Sequence, residues 1–143
     1  MNPYLKQYQK NEIETATPEK ILILLYDGAI LFLNRAKIAI EQDNIPEIHN
    51  NIVGCEKIIQ EFMNTLKLEE GNDLTARLYE LYRYFYNTLI SANLNKDIKK
   101  VDEILNHLIG LRDTWKKAIA IANAERMEEA EQESMETQQD GYV

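Results

Sequence analysis

The sequence predicts an all-α protein: an antiparallel up-down four-helix bundle with a short N-terminal segment or helix and a disordered acidic C-terminal tail. Two observations predict this fold class. Apolar residues recur at helical spacing in four long windows, and short polar breaks that contain proline, glycine or asparagine separate these windows. With 143 residues the chain is long enough for one domain with a sizeable core. Short connections between long helices favour antiparallel neighbours.

The first helix is expected from about Pro18 to Gln42. Thr17 is a suitable N-cap, and proline is favoured at the first helical position. The predicted core stripe of this helix consists of Ile21, Leu22, Leu25, Gly28, Ala29, Phe32, Leu33, Ala36, Ala39 and Ile40.

Three further helices follow from the same spacing argument. They are expected at about residues 45–69, 74–94 and 98–124, with breaks at Asp43–Asn44, at Gly71 and at Asn95–Asp97. The predicted core stripes are Ile45, Ile48, Ile52, Cys55, Ile59, Phe62, Met63 and Leu66; then Leu74, Leu78, Leu81, Tyr82, Phe85, Leu89 and Ala92; then Val101, Ile104, Leu105, Leu108, Leu111, Trp115, Ile119 and Ala122.

The two ends of the chain lack a core stripe. Residues 1–15 have few apolar anchors, and a short isolated helix is marginal in water, so this segment either packs on the bundle or is mobile. Residues 1–124 are therefore assigned to the bundle domain. Residues 125–143 are assigned to an acidic tail, expected to fray and become disordered.

Charge and composition narrow the function. The net charge is −8, and residues 123–143 hold seven acidic residues and one arginine, so they carry −6 and the rest of the chain −2. Nucleic acid is an unexpected partner because no basic surface is predicted. The apolar window in the first helix is too short and too polar to insert into a membrane. A single cysteine and the lack of a recognisable signal peptide indicate a cytoplasmic protein.

The first helix has more apolar residues than its core stripe requires. Leu24, Leu31 and Ile38 lie on one flank, and Ile23, Tyr26 and Ile30 lie on the other. Together they represent up to ~360–720 Å² of apolar surface, compared with roughly 300–600 Å² for the largest patch of a typical monomer. These flanks are either partner-binding edges or the outer positions of a wide core.

The third helix shows the same excess. Tyr79, Tyr86 and Ile90 form a second edge beside its core stripe, and Tyr84 lies on the opposite side. Tyrosine suits a half-wet contact surface because its ring is apolar and its hydroxyl can stay hydrated. The alternative is that these tyrosines lie at the rim of the core.

No enzymatic site is predicted. A di-metal site in a bundle needs Glu-x-x-His pairs, and neither His49 nor His107 has glutamate three residues before it. Cys55 lies on a core stripe, where a buried, inert thiol is expected. No phosphate-binding loop is present in the sequence, so neither a cofactor nor a metal is expected.

Several short motifs follow one another in a recognisable order. They are Asn2-Pro3-Tyr4, Tyr8, Thr15-Ala16-Thr17-Pro18, Leu25-Tyr26-Asp27-Gly28-Ala29, Ala92-Asn93 and Leu111-Arg112-Asp113-Thr114-Trp115-Lys116. Over about residues 2–122 this series closely resembles the flagellin export chaperone family, FliS. The acidic tail lies outside the resemblance.

The resemblance implies a cytosolic, non-enzymatic chaperone of the flagellar type III secretion system. Such a chaperone binds the disordered C-terminal segment of flagellin, which wraps around the bundle and is thereby kept from polymerising before export. The resemblance also implies that the N-terminal segment covers part of this surface in the free protein. Export-gate components and a competing regulatory protein are further candidate partners.

The partner-binding residues expected from helical geometry and the resemblance are Tyr4, Tyr8, Ile23, Leu24, Tyr26, Ile30, Leu31, Ile38, Tyr79, Tyr86 and Ile90. Long apolar edges of this kind accept an amphipathic helix or an ordering segment. The alternative is a helical adaptor whose edges form a homo-dimer or contact another flagellar regulatory protein.

Overall fold

The computed structural model describes residues 17–66 and 72–140, without the side chains of residues 139 and 140. These residues form four α-helices and no strand: α1 Pro18–Glu41, α2 Ile45–Leu66, α3 Asp73–Asn95 and α4 Ile98–Asp140. The predicted all-α class and the number of long helices are therefore confirmed for the described part. The antiparallel up-down order stays a prediction.

The starts of α1 and α3 and the end of α3 follow the sequence signals closely. The Thr17 hydroxyl accepts a hydrogen bond from the Lys20 backbone N–H at 3.3 Å, and Pro18 begins α1. Asn72 caps α3 in the same way, because its Oδ1 accepts from the Leu74 N–H at 2.9 Å. After α3, Lys96 adopts the left-handed conformation that ends the helix.

A series of aromatic rings connects the four helices in the unit that extends through Arg112. Tyr26 of α1 stacks on Phe62 of α2 at 4.7 Å between centroids, and Phe62 lies 5.2 Å from Tyr82 of α3. Phe85, one turn later on α3, stacks at 5.3 Å on His107 of α4. Apart from His107, all these rings are buried, so they form the centre of the core.

A close approach joins α1 to α2. A Cβ atom added at Gly54 of α2 would lie 2.8 Å from ring atoms of Phe32 of α1. Glycine is therefore the residue that lets the Phe32 ring rest against the α2 backbone.

Two ion pairs join α1 to α4. Asp27 pairs with Arg112 at 3.1 Å, and Lys37 pairs with Asp102 at 2.7 Å. Asp27 and Arg112 come from two of the motifs that carry the family resemblance. In this structure the two motifs therefore meet at one contact.

The C-terminal part of α4, from Asp113, is a separate unit that is helical to Asp140. The disorder predicted from residue 125 is thus not seen over residues 125–140, and the helix is longer than the expected end at Ala124. The physical reason lies in composition. This stretch is rich in glutamate, glutamine and methionine, which are strong helix formers, and it has no glycine or proline before Gly141.

Candidate partner-binding surface

An uncovered apolar line runs along α1. We call Leu24, Leu31 and Ile38 the α1 edge; they are spaced seven residues apart and so lie on one side of the helix. The side chains of Leu31 and Ile38 are 49% and 53% exposed, and Leu24 is half-buried. The sequence predicts this edge as surplus to the core, and two of its three residues are exposed in the structure. Its role in partner binding stays a prediction.

The opposite flank of α1 is part of the core, which corrects the sequence prediction for Tyr26 and Ile30. Both are buried. The Tyr26 hydroxyl is hydrogen-bonded to the hydroxyl of Tyr82, and its ring stacks on Phe62. Ile30 lies along α1 between Asp27 and Lys37, whose ion pairs hold α4 against this flank.

Ile23, on the same flank, is half-buried, whereas Ile21 of the predicted core stripe is exposed. The true core stripe of α1 is therefore rotated toward Tyr26 and Ile30. Predicted core residues near two other helix starts, Ile45 and Leu74, are also exposed.

A second apolar line lies on α3. We call Tyr79, Tyr86 and Ile90 the α3 edge; the two tyrosines are half-buried and Ile90 is 39% exposed. The Tyr86 hydroxyl accepts a hydrogen bond from Gln60 of α2 at 3.2 Å, so this edge borders α2. Tyr84 lies elsewhere, since its hydroxyl donates to Glu103 of α4 at 2.6 Å, an interaction that raises the pKa of Tyr84.

The remaining two predicted residues, Tyr4 and Tyr8, lie outside the described residues.

A pocket of about 430 Å³ opens between α2 and α3, and we call it the α2–α3 pocket. Ile90 of the α3 edge forms part of its wall. The described residues that line it are His49, Val53, Glu56, Ile90, Asn93, Leu94 and Lys96. Sequence reasoning missed this pocket because its walls come from two helices. Two features of the sequence could have indicated the pocket: Val53 lies outside the core stripe of α2, and Asn93 belongs to the Ala92-Asn93 motif.

The polar groups of the pocket are unevenly satisfied. The Asn93 Nδ2 donates to His49 Nδ1 at 3.0 Å. The Lys96 ammonium donates to the backbone carbonyl oxygen of Asn93 at 2.9 Å. The Asn93 Oδ1 is buried and has no hydrogen-bond partner among the described residues. Burial raises the pKa of Glu56, and the neighbouring His49 offsets part of this rise.

Replacing Glu56 by glutamine is expected to raise the melting temperature at neutral pH. An acid whose pKa is higher in the folded state than in the unfolded state opposes folding when it is ionised, and glutamine removes that charge. The gain should shrink as the pH falls toward the ordinary glutamate value of 4.5, because both states of the wild type then become protonated. Thermal denaturation between pH 4 and 8 measures the difference, and an equal gain at every pH would contradict this account.

Among the described residues, the side chains that could ligate a metal are dispersed and the cysteine is buried. Within residues 17–66 and 72–140, no three His, Cys, Asp or Glu side chains are grouped so as to hold a metal ion. Cys55 is completely buried, and burial raises its thiol pKa far above the usual range, so the reactive thiolate is suppressed. None of the helices in this part of the chain is both long and apolar enough to cross a membrane.

The chain is similar to known proteins of one family. The family model described as flagellar protein FliS matches residues 1–122. The chain is 34% identical to the flagellar secretion chaperone FliS of Bacillus subtilis, over 87% of this chain and 92% of the relative. It is 32% identical to the flagellar secretion chaperone FliSB of Pseudomonas aeruginosa, over 78% and 91% respectively. For FliS of Campylobacter jejuni the identity is 30%, over 77% and 86%.

The matched region contains both apolar edges and the ion pair between Asp27 and Arg112, and the relatives are matched over most of their own length. The long acidic part of α4 beyond residue 122 lies outside the family match. The chain therefore belongs to the FliS family of flagellar secretion chaperones.

Proposed function

We propose that this protein is a cytoplasmic, non-enzymatic export chaperone that binds the disordered C-terminal segment of flagellin. In this role it prevents premature polymerisation and assists delivery of flagellin to the flagellar type III secretion system. Membership of the FliS family and the names of the relatives support the chaperone role. The observation on this chain that carries the proposal is the exposed α1 edge, which the fold does not use for its own core.

The proposed mechanism follows from the apolar surfaces that flagellin and this protein expose. Flagellin segments that pack as apolar helices in a filament self-associate unless another surface covers them. The α1 and α3 edges provide apolar lines to which an ordering segment can bind, as in helix-in-groove recognition. Ordering the segment costs part of the interaction energy, so a large contact surface gives an affinity that export can still reverse.

The decisive experiment is co-purification with flagellin and with flagellin that lacks its last ~40 residues, a length that spans roughly 130 Å when extended and is enough to wrap a small domain. We expect the full-length flagellin to be retained and the truncated form to be lost. Equal retention of both forms would contradict binding through the C-terminal segment.

Light scattering, with and without the C-terminal peptide, separates this function from a homo-dimeric adaptor. A chaperone should form a one-to-one complex with the peptide. A stable dimer that ignores the peptide would favour the adaptor. The same peptide complex is the material with which to test export-gate components and a competing regulatory protein as further partners.

A further inference from the structure

The ion pair between Asp27 of α1 and Arg112 of α4 lies beside the α1 edge. Leu24 is three residues before Asp27 and Leu31 is four residues after it, so the three side chains are neighbours on one side of the helix. A segment that covers both leucines therefore also covers the Asp27 carboxylate. A charged group thus lies within the surface that an apolar partner would cover.

Covering a carboxylate is costly unless its charge is compensated. In the free protein the side chain of Asp27 is 44% exposed, so water can hydrate the carboxylate. A bound segment removes this water, and an uncompensated charge then opposes binding. The Arg112 guanidinium donates from Nη1 to Asp27 Oδ1 at 3.1 Å, so the protein itself supplies the compensating charge from α4.

The second ion pair between α1 and α4 provides a comparison. Lys37 and Asp102 are 30% and 47% exposed, which is similar to the exposure of the first pair. Ion pairs that stay in contact with water contribute little to stability. None of the residues three or four positions from Lys37 belongs to the α1 edge. The two pairs are therefore alike in the free protein and differ in what a partner at the α1 edge would cover.

We infer, on the basis of the proposed function, that Arg112 is a positioning residue for flagellin binding. It neutralises Asp27 and holds the carboxylate toward α4, so the flagellin segment covers Leu24 and Leu31 without burying an unpaired charge. Arg112 acts through Asp27 and does not need to touch the segment. This role explains why two motif residues meet at a partly exposed contact next to the α1 edge.

The first test is Arg112→Met, which keeps a long unbranched side chain and removes the charge. The Kd for the flagellin C-terminal peptide, measured by titration calorimetry, should rise about tenfold, because binding now buries an unpaired carboxylate. The melting temperature of the free protein should fall by only a few degrees, because water hydrates the exposed Asp27 carboxylate when the arginine is absent.

The decisive variant adds Asp27→Asn to Arg112→Met. Asparagine has nearly the same shape as aspartate and no charge, so the desolvation penalty disappears although the ion pair is still missing. The Kd should return to within about twofold of the wild-type value, whereas the melting temperature should stay close to that of Arg112→Met. A Kd as high as that of the single variant would show that Arg112 contacts the segment itself or supports the fold, and it would overturn the inference.

Lys37→Met is the matched control. It removes the cation of the other ion pair between α1 and α4 and leaves Asp102 without this partner, at a position outside the α1 edge. The Kd should equal that of the wild type. If Lys37→Met weakens binding as much as Arg112→Met does, the ion pairs act by holding α1 against α4, and the role assigned to Arg112 is wrong.

Failure of this inference and failure of the proposed function give different results. If the wild-type protein binds the peptide and Arg112→Met binds it equally well, the inference is overturned while the proposed function stands. If the wild-type protein does not bind the peptide, the proposed function fails and the inference fails with it.

Discussion

Replacing Leu31 and Ile38 together by aspartate is expected to weaken flagellin binding strongly while leaving the fold intact. Covering the exposed half of these two large apolar side chains contributes about 1.5 to 3 kcal/mol in total, so the loss of this contact alone should raise the Kd on the order of 10- to 10²-fold. Aspartate adds a further penalty, because a charge would have to be buried against the bound segment. Calorimetric titration with the flagellin C-terminal peptide measures this change.

The thermal stability of the double variant tests whether Leu31 and Ile38 lie outside the core. About half of each side chain is already exposed to water, so unfolding exposes only the remaining half of these residues. The melting temperature should move by only a few degrees, since exposed substitutions rarely exceed about 0.5 kcal/mol each. A fall of ten degrees or more would show that Leu31 and Ile38 belong to the core.

The matched control changes Met127 and Met135 to aspartate. These residues are also exposed, the substitutions add the same charge, and both positions lie beyond the family match. This control should bind the peptide as wild type does. Equal loss of binding in both double variants would indicate a general effect of negative charge rather than a contact at the α1 edge.

Local signals in the sequence predicted the starts of α1 and α3 well. The Thr17–Pro18 start and the Asn72 cap depend on residues that are adjacent in the chain, and both are present in the structure. The α1 edge was also predictable, because spacing alone separates Leu31 and Ile38 from the core stripe. These features follow from one helix at a time.

Features that depend on two helices were not predictable in the same way. A helical wheel shows that α1 is apolar on both flanks, but it does not show which flank faces a neighbour. Tyr26 and Ile30 are buried because Tyr82 and the ion pairs to α4 lie on their side. The pocket around Asn93 was missed for the same reason, since its acceptors and walls come from α2 and α3 together.

The largest loss of stability is expected for Phe85→Ala. This ring is fully buried, lies 6.2 Å from Tyr82 and stacks on His107, so its removal leaves a cavity where α3 meets α4. Truncating a buried phenylalanine costs about 3 to 5 kcal/mol, which should lower the melting temperature by roughly 10 to 20 °C.

Tyr84→Ala, at the preceding residue, is the control. Tyr84 is 48% exposed, and its loss should cost about 1 kcal/mol or less. Equal losses at the two positions would contradict the assigned core.

Phe85→Ala also separates folding from binding, because neither apolar edge includes Phe85. The folded fraction should keep its affinity for the flagellin peptide. At a free peptide concentration of about 100 times the Kd, binding should restore about 2.7 kcal/mol of stability, or more than half of the expected loss. Differential scanning calorimetry with and without peptide measures this recovery.

The Leu31→Asp, Ile38→Asp protein should show the reverse behaviour, a nearly normal melting temperature that the same peptide does not raise. A peptide that stabilises both proteins equally would place its binding surface away from the α1 edge.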